Sequence, residues 1–168
     1  MRDRDEEFSR FVAARSPELL RLAYLLSADS SGAEDILQTA LVRAYLRWDR
    51  ISTNPEAYVR RIVATTVIDE RRRPFRRRET AHAELPETPA GAEPYTGIDA
   101  RDALRRALKS LPARQRAAVV LRHWAAMEPA QVAEVLGCSV GTVRSQTARG
   151  LEKLRAAYAE TSGKEPIR

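Results

Sequence analysis

The feature that most constrains the fold is a single break in an otherwise helical sequence. The stretch from Pro74 to Asp99 holds four prolines, two glycines and few large apolar residues, which is typical of an extended linker. On either side, apolar residues recur at the spacing of amphipathic helices, with no alternating strand pattern and no hairpin signal. The sequence therefore predicts an all-α protein of two small helical domains joined by a flexible linker, divided as 1–73, 74–99 (linker), 100–160 and 161–168 (a polar tail).

Capping residues and apolar stripes predict four helices in the first domain, which would form a compact bundle. We expect the first helix to end near Arg15, because a serine followed by Pro17 has the pattern of a new helix start. Residues 31–34 resemble a capping box before the third helix. Asn54, followed by a proline and an acid, begins the fourth, which should end near Arg73 because Pro74 restricts that residue.

Composition and charge narrow the class of protein. The chain has 29 basic and 23 acidic residues, and residues 101–168 alone hold 13 basic against six acidic, which favours a polyanionic partner. No apolar run approaches the ~20 residues of a membrane span, and no secretory signal follows the charged start. One cysteine, Cys138, and two histidines are too few for a disulfide or a zinc site, and no nucleophile stands beside a base. We expect a cytoplasmic protein that is not an enzyme and has no cofactor, metal or membrane insertion.

The most informative motif is a predicted helix-turn-helix in the second domain. A short helix over 129–136 ends at Gly137, which can adopt the left-handed conformation, and a long helix over 140–159 follows with Ser139 as its N-cap. Ala133 and Val143 stand where this motif needs a small contact residue and a core residue. The spacing indicates a DNA-binding motif, the alternative being a plain helical corner.

The long helix carries a polar stripe near its N-terminus, where a recognition helix meets bases. Its members recur at helical spacing: Thr142, Ser145, Gln146 and Arg149. Arg149 has the geometry to pair with guanine and Gln146 with adenine, each pair being worth about 1–3 kcal/mol of discrimination. Arg144 and the helix N-terminus suit phosphates.

The same residues resemble a known family. Residues 111–122 and 132–145 look like the fourth conserved region of the extracytoplasmic-function sigma factors of bacterial RNA polymerase. The N-terminal half resembles the second conserved region at residues 33–38, 42–48 and 54–62, and at Asp69, Arg71 and Arg72. The resemblance covers about 5–73 and 100–156, and it is closest to the sigma-E-like group common in actinobacteria.

The resemblance implies a subunit that directs core RNA polymerase to promoters. The second region would bind the clamp coiled coil of the largest subunit and melt the −10 element, and the fourth would read the −35 element and dock on the polymerase flap. An anti-sigma factor is also implied. The implied contacts are Asp35, Gln38 and the adjoining Thr39 for polymerase, Asn54, Arg60, Arg61 and Thr65 for the −10 element, and Arg144, Ser145 and Arg149 for the −35 element, to which the polar stripe adds Thr142 and Gln146.

At four positions the chain departs from the residues usual in the family: Thr39, Thr65, Gln146 and Thr147. The linker would, by the resemblance, thread toward the catalytic centre, with its acidic residues imitating nucleic acid, although its composition fits a solvated tether equally well. The arginines at 71–73 suit either DNA phosphates or the negative end of their helix. Two other functions remain open from the residues: an autonomous helix-turn-helix regulator, and an adaptor that binds only proteins.

Overall fold

The described part of the chain is helical. The computed structural model describes residues 2–51, 53–72 and 95–163, and these ranges contain no strand. The all-α prediction is confirmed. In order, the elements are α1 (Arg2–Ser27), α2 (Ser30–Tyr45), a 3-10 turn (Trp48–Arg50), α3 (Pro55–Arg71), α4 (Tyr95–Ser110), α5 (Ala113–Val119) running into a π-helical turn (Val120–Trp124), α6 (Pro129–Leu136) and α7 (Val140–Ser162).

We call α1–α3 the N-terminal half and α4–α7 the C-terminal half. Most of the predicted linker, with the acidic residues at 79, 84, 87 and 93 and the arginines at 73 and 76–78, lies outside the described residues, as does the end of the tail over 164–168. The last linker residues do not: α4 begins at Tyr95, five residues before the predicted start. Pro94 directly precedes this helix, where a missing N–H costs nothing. Gly97, which disfavours helix by about 1 kcal/mol, explains why the sequence pattern missed the first turn.

The predicted break between the first two helices is wrong, because α1 continues through Pro17. The N-terminal half therefore has three α-helices and a 3-10 turn instead of four helices. An interior proline removes one backbone hydrogen bond and costs about 3 kcal/mol. Packing on both sides offsets this cost, since Phe8 and Phe11 before the proline and Leu19 and Leu22 after it contact the same core.

Helix starts were predicted with mixed success. The cap of α2 is Asp29, whose carboxylate accepts from the backbone N–H of Ser31 at 3.1 Å, so the capping box predicted at 31–34 is wrong. A carboxylate at the N-cap also interacts favourably with the positive end of the helix dipole, whereas a serine carries no charge to do so. Asn54 caps α3 as predicted, accepting from Ala57 N–H at 3.0 Å. The last turn of α3 ends at Arg71, close to the predicted end.

Aromatic rings hold the start of α1 against the end of α2. Trp48 is 6% exposed, and its ring lies edge-on to Phe8 with centroids 5.0 Å apart. The Tyr45 hydroxyl donates to Asp5 at 2.6 Å, and this hydrogen bond raises the pKa of Tyr45. Arg4 stacks over the Tyr45 ring at 4.6 Å from its centroid.

The two halves pack against each other around one continuous apolar core. α6 contacts α3, and the π-helical turn contacts α1. Arg116, which is 4% exposed, joins the halves: its Nε donates to the carbonyl of Leu26 at 3.1 Å, and its Nη1 to that of Leu108 at 3.2 Å. Arg71 donates to the Ser27 carbonyl at 2.9 Å, a contact with the last residue of α1 and not with the end of its own helix.

The long helix α7 is seated on α5 by a glycine. A Cβ at Gly150 would lie 2.6 Å from Val119 Cγ2 and 2.9 Å from the Gln115 carbonyl oxygen, so only glycine allows this approach. Val143, two turns earlier on α7, is fully buried. Among the described residues no helix is long and apolar enough to span a membrane.

Candidate nucleic-acid interface

The predicted helix-turn-helix is present and is built by its turn. α6 ends at Gly137, which has φ +64° and ψ +43°, the left-handed conformation that glycine adopts without strain. Two residues later Ser139 caps α7, accepting from Thr142 N–H at 3.1 Å. Ala133 and Val143 are both buried between the two helices. The turn thus fixes the start of α7 at the protein surface.

The polar stripe of α7 faces outward. Arg144, Ser145 and Arg149 are exposed, and Thr142 and Gln146 are half-buried. Neither Arg144 nor Arg149 forms an ion pair within the described residues, so both guanidinium groups are available to an outside anion. Thr147 lies on the inner side, where its hydroxyl donates to the Val143 carbonyl at 2.7 Å and is thereby satisfied.

A second surface runs along α2. Asp35 and Gln38 are exposed and Thr39 is half-buried, so the structure brings these three predicted residues onto one face. The face continues one and two turns further with exposed apolar side chains, Val42 at 58% and Leu46 at 72%. Large apolar side chains exposed next to one another indicate a protein-binding surface, whereas a single exposed apolar side chain is common on any protein.

An open groove of about 670 Å³ lies where the end of α2 meets α3. It has a mixed basic, aromatic and apolar lining, formed by Arg43, Leu46, Arg47, Tyr58, Arg61, Ile62 and Thr65. Arg43 donates to Thr66 Oγ1 at 3.2 Å and approaches Asp69 at 3.7 Å. Arg47 is exposed and has no ion pair within the described ranges. Such a lining suits a polyanion with flat bases.

The four predicted −10 residues do not lie together. Arg61 and Thr65 line the groove, but Arg60 pairs with Glu18 of α1 and, at 2.6 Å, with Glu56 one turn earlier on α3. Its side chain is only 23% exposed. The side-chain oxygen of Asn54 is engaged in capping α3. The position of Arg60 follows from helical spacing, since neighbours in sequence lie 100° apart around a helix.

Comparison with known proteins places both halves in one family. Residues 11–78 match sigma-70 region 2, and residues 101–154 match sigma-70 region 4. The chain is 40% identical over 151 residues to the RNA polymerase sigma-E factor of Streptomyces coelicolor, covering 89% of this chain and 84% of that protein. The chain belongs to the sigma-70 family. It is an alternative sigma factor of the extracytoplasmic-function group, which directs RNA polymerase to promoters to begin transcription.

Other relatives and solved structures agree with this sigma factor. It is 34% identical over 174 residues to the extracytoplasmic-function factor SigJ of Mycobacterium tuberculosis, covering 94% of this chain and 53% of SigJ. The crystal structure of that SigJ matches with a TM-score of 0.59 over 87% of this chain and 52% of SigJ. A sigma factor RpoE, solved with the anti-sigma factor NepR from Bartonella quintana, has the same fold, with a TM-score of 0.69 at 24% identity over 90% of this chain and 96% of RpoE.

Sequence reasoning missed several residues of the sigma factor's surfaces. Arg43, Arg47 and Tyr58 line the groove, and the available signal was the four-residue spacing of the two arginines, Arg43 on α2 and Arg47 just after its end. Glu134 of α6 was also missed: its carboxylate lies 3.0 Å from Arg61 Nη2. No pattern within either half predicts that pair, because it joins residues 73 positions apart.

Proposed function

We propose that this sigma factor binds core RNA polymerase through α2 and reads two promoter elements with its two halves. Asp35, Gln38 and Thr39 would contact the clamp coiled coil of the largest subunit. The exposed Val42 supports this assignment, because it lies one turn beyond Gln38 on the same face and adds apolar area to a polar contact. The C-terminal half would dock on the polymerase flap.

The −35 element would be read by α7. The observation that carries the proposal is the start of α7 directly behind a left-handed glycine turn, where Arg144, Ser145 and Arg149 are exposed and Thr142 and Gln146 are half-buried. A helix presented in this way enters the major groove with its N-terminal residues at the bases. Arg149 would pair with guanine, Gln146 with adenine, and Arg144 with a phosphate.

The −10 element would be held in the groove between α2 and α3. Arg61 and Thr65 line it, and the half-buried ring of Tyr58 offers a surface for an unstacked base. Arg47, with no intramolecular ion pair in the described ranges, would hold a phosphate of the same strand. Extruding a base costs a few kcal/mol, which stacking and edge contacts offset during melting. Asn54 would position this surface by fixing the start of α3, and Arg60 would act through its ion pairs with α1.

We further propose that the protein works in the cytoplasm without enzymatic activity and is held inactive by an anti-sigma factor. The support for the last point is the structural likeness to the sigma factor RpoE, which was solved with the anti-sigma factor NepR. A neighbouring gene product that co-purifies with this chain and blocks transcription would confirm it. If no encoded neighbour binds the chain, this part of the proposal is wrong.

Run-off transcription with purified core polymerase tests the central proposal. Added alone to core enzyme, this chain should start transcription at promoters mapped after its overexpression. An autonomous regulator would produce no transcript without a separate sigma factor. A protein-only adaptor would produce no transcript, and the salt slope measured for DNA binding would then be near zero.

Two variants separate the proposed surfaces. Asp35→Ala combined with Gln38→Ala should reduce binding to core polymerase while leaving the salt dependence of DNA binding unchanged. Arg149→Ala should do the reverse. The matched controls are Glu7→Ala on α1 and Arg155→Ala on α7, which are exposed and lie outside both surfaces. Equal loss in the variants and their controls would contradict the assignment of these residues.

A further inference from the structure

Arg61 belongs to two sites at once. It lines the groove between α2 and α3, and it also forms an ion pair with Glu134 across the junction of the two halves, with Nη2 and Oε2 3.0 Å apart. Glu134 lies on α6, the first helix of the helix-turn-helix. One arginine therefore connects the predicted −10 surface to the domain that carries the −35 surface.

We propose that Glu134 is an internal competitor of the −10 strand, occupying Arg61 while the two halves are packed together. A DNA phosphate and the Glu134 carboxylate are both oxyanions that bind guanidinium N–H donors, so the two compete for the Nη2 group of Arg61 that Glu134 occupies. Binding of the strand at this group then requires Glu134 to release it. This inference rests on the proposed function of the groove.

The charges around the groove explain why one carboxylate matters. Arg43, Arg47 and Arg61 all line it, which makes the empty groove strongly positive. Arg43 is already opposed by Asp69 at 3.7 Å, and Arg47 is exposed and has no acidic partner in the described ranges. Glu134 thus cancels the charge of the arginine at the junction side, and its removal would leave two uncompensated arginines facing a DNA strand.

The pair is built to exchange. The side chains of Arg61 and Glu134 are 54% and 60% exposed, and a pair so exposed contributes only about 0–1 kcal/mol. The junction beside it is not closely filled, since an open pocket of about 140 Å³ lies between Arg61 and the residues Met127 and Gln131 of the C-terminal half. Interfaces with such gaps separate at lower cost than a close-packed core.

The ion pair between Arg61 and Glu134 does not cover the proposed −35 surface on α7. The stripe of α7 that includes Arg144 and Arg149 is exposed while Glu134 is paired. A packed chain can therefore present its −35 surface before its −10 surface becomes available. The order of contacts that follows is −35 first, with the −10 strand bound after Glu134 has released Arg61.

Binding of single-stranded DNA to the full-length chain tests the competitor directly. The probe is a fluorescent oligothymidylate of about 12 nucleotides, measured by anisotropy at low salt, because stacking on such sites tolerates any base. Glu134→Gln should bind about two- to fivefold more tightly than the natural chain, and the gain should shrink as salt rises. The control, Glu152→Gln, removes an equal charge from an exposed site on α7 outside the junction and should change binding less.

The Arg61→Ala background distinguishes the two proposals. Arg61→Ala should weaken binding, and adding Glu134→Gln to it should then have no further effect. If Arg61→Ala binds like the natural chain, the groove is not the −10 surface. If Arg61→Ala weakens binding but Glu134→Gln behaves like Glu152→Gln, the competitor is refuted while the groove stands. Unchanged thermal unfolding midpoints confirm that the variants are folded.

Discussion

The two proposed DNA surfaces differ in what their charged residues contact inside the protein. On α7, Arg144 and Arg149 form no ion pair within the described residues. At the N-terminal half, Arg60 is held by α1 and Arg61 by Glu134. One surface is therefore complete in the packed chain, and the other is partly occupied by the protein's own carboxylates.

The difference follows from how each surface is built. The α7 stripe needs only a helix start, a glycine turn and a buried opposite face, all within 30 residues of sequence. The groove lies between two helices and beside the other half, so every acidic side chain at the junction competes for its arginines. A surface made within one motif is preformed, whereas a surface made at a junction depends on the junction.

Removing the buried arginine at the junction should have the largest effect. Arg116→Ala deletes two hydrogen bonds to the carbonyls of Leu26 and Leu108, which would then be buried without these donors. We expect a loss of about 2–4 kcal/mol in the free energy of unfolding, measured by urea denaturation. If the same variant also binds oligothymidylate more tightly, the two halves separate more readily without Arg116.

The control for this variant is Arg106→Ala on α4, an exposed arginine with no ion pair in the described ranges. It should change stability by less than about 0.5 kcal/mol. A stable Arg116→Ala chain with unchanged DNA binding would show that this bond does not hold the halves together, and the groove would then not depend on the junction.

Crowding the seat of α7 should have the next largest effect. Gly150→Ala places a Cβ 2.6 Å from Val119 and 2.9 Å from the Gln115 carbonyl, so α7 must shift away from α5 at a cost of about 1–3 kcal/mol. Gly141→Ala is the matched control, because its nearest neighbour would lie 3.8 Å away and alanine favours helix. We expect the midpoint temperature of thermal unfolding to fall for Gly150→Ala and to stay the same or rise for Gly141→Ala.

Features of the fold can be predicted from the sequence when they depend on residues that are close together in the chain. The Gly137 turn, the Ser139 cap and the polar stripe of α7 are local patterns, and all were predicted. The continuation of α1 through Pro17 was missed because the local signal for a break was overridden by core contacts on both sides. Tertiary packing decides such cases, and a single sequence does not display it.

The candidate site shows the same limit. Exposure of Asp35 and Gln38 followed from helical spacing, and so did the shared face of Arg61 and Thr65. Helical spacing places Arg60 and Arg61 on different faces of α3, and Glu56 stands four residues before Arg60, but the contact of Arg60 with Glu18 on α1 has no local signal. The pairing of Arg61 with Glu134 required knowing how the halves pack.

Loss of a base contact on the preformed surface should have a specific and measurable effect. Arg149→Ala should weaken binding of holoenzyme to a mapped promoter about 5- to 100-fold, as expected for loss of one bidentate contact. It should also reduce discrimination at one −35 base pair, without altering binding of oligothymidylate to the free chain. Arg155→Ala, one and a half turns further along α7, should change neither measurement. Equal losses for both variants would indicate a nonspecific charge effect.

The smallest expected effect is the loss of a helix N-cap, at Asn54 or at Ser139. Asn54 and Ser139 cap α3 and α7 in the same way, at 3.0 and 3.1 Å to a backbone N–H. Replacing either by alanine should cost about 1 kcal/mol in unfolding free energy. Asn54→Ser keeps an N-cap acceptor, so it should restore most of that stability. If Asn54→Ser binds oligothymidylate as well as the natural chain, Asn54 only positions α3. If it stays stable but binds less well, the amide itself contacts the strand, and the groove reaches to the start of the helix.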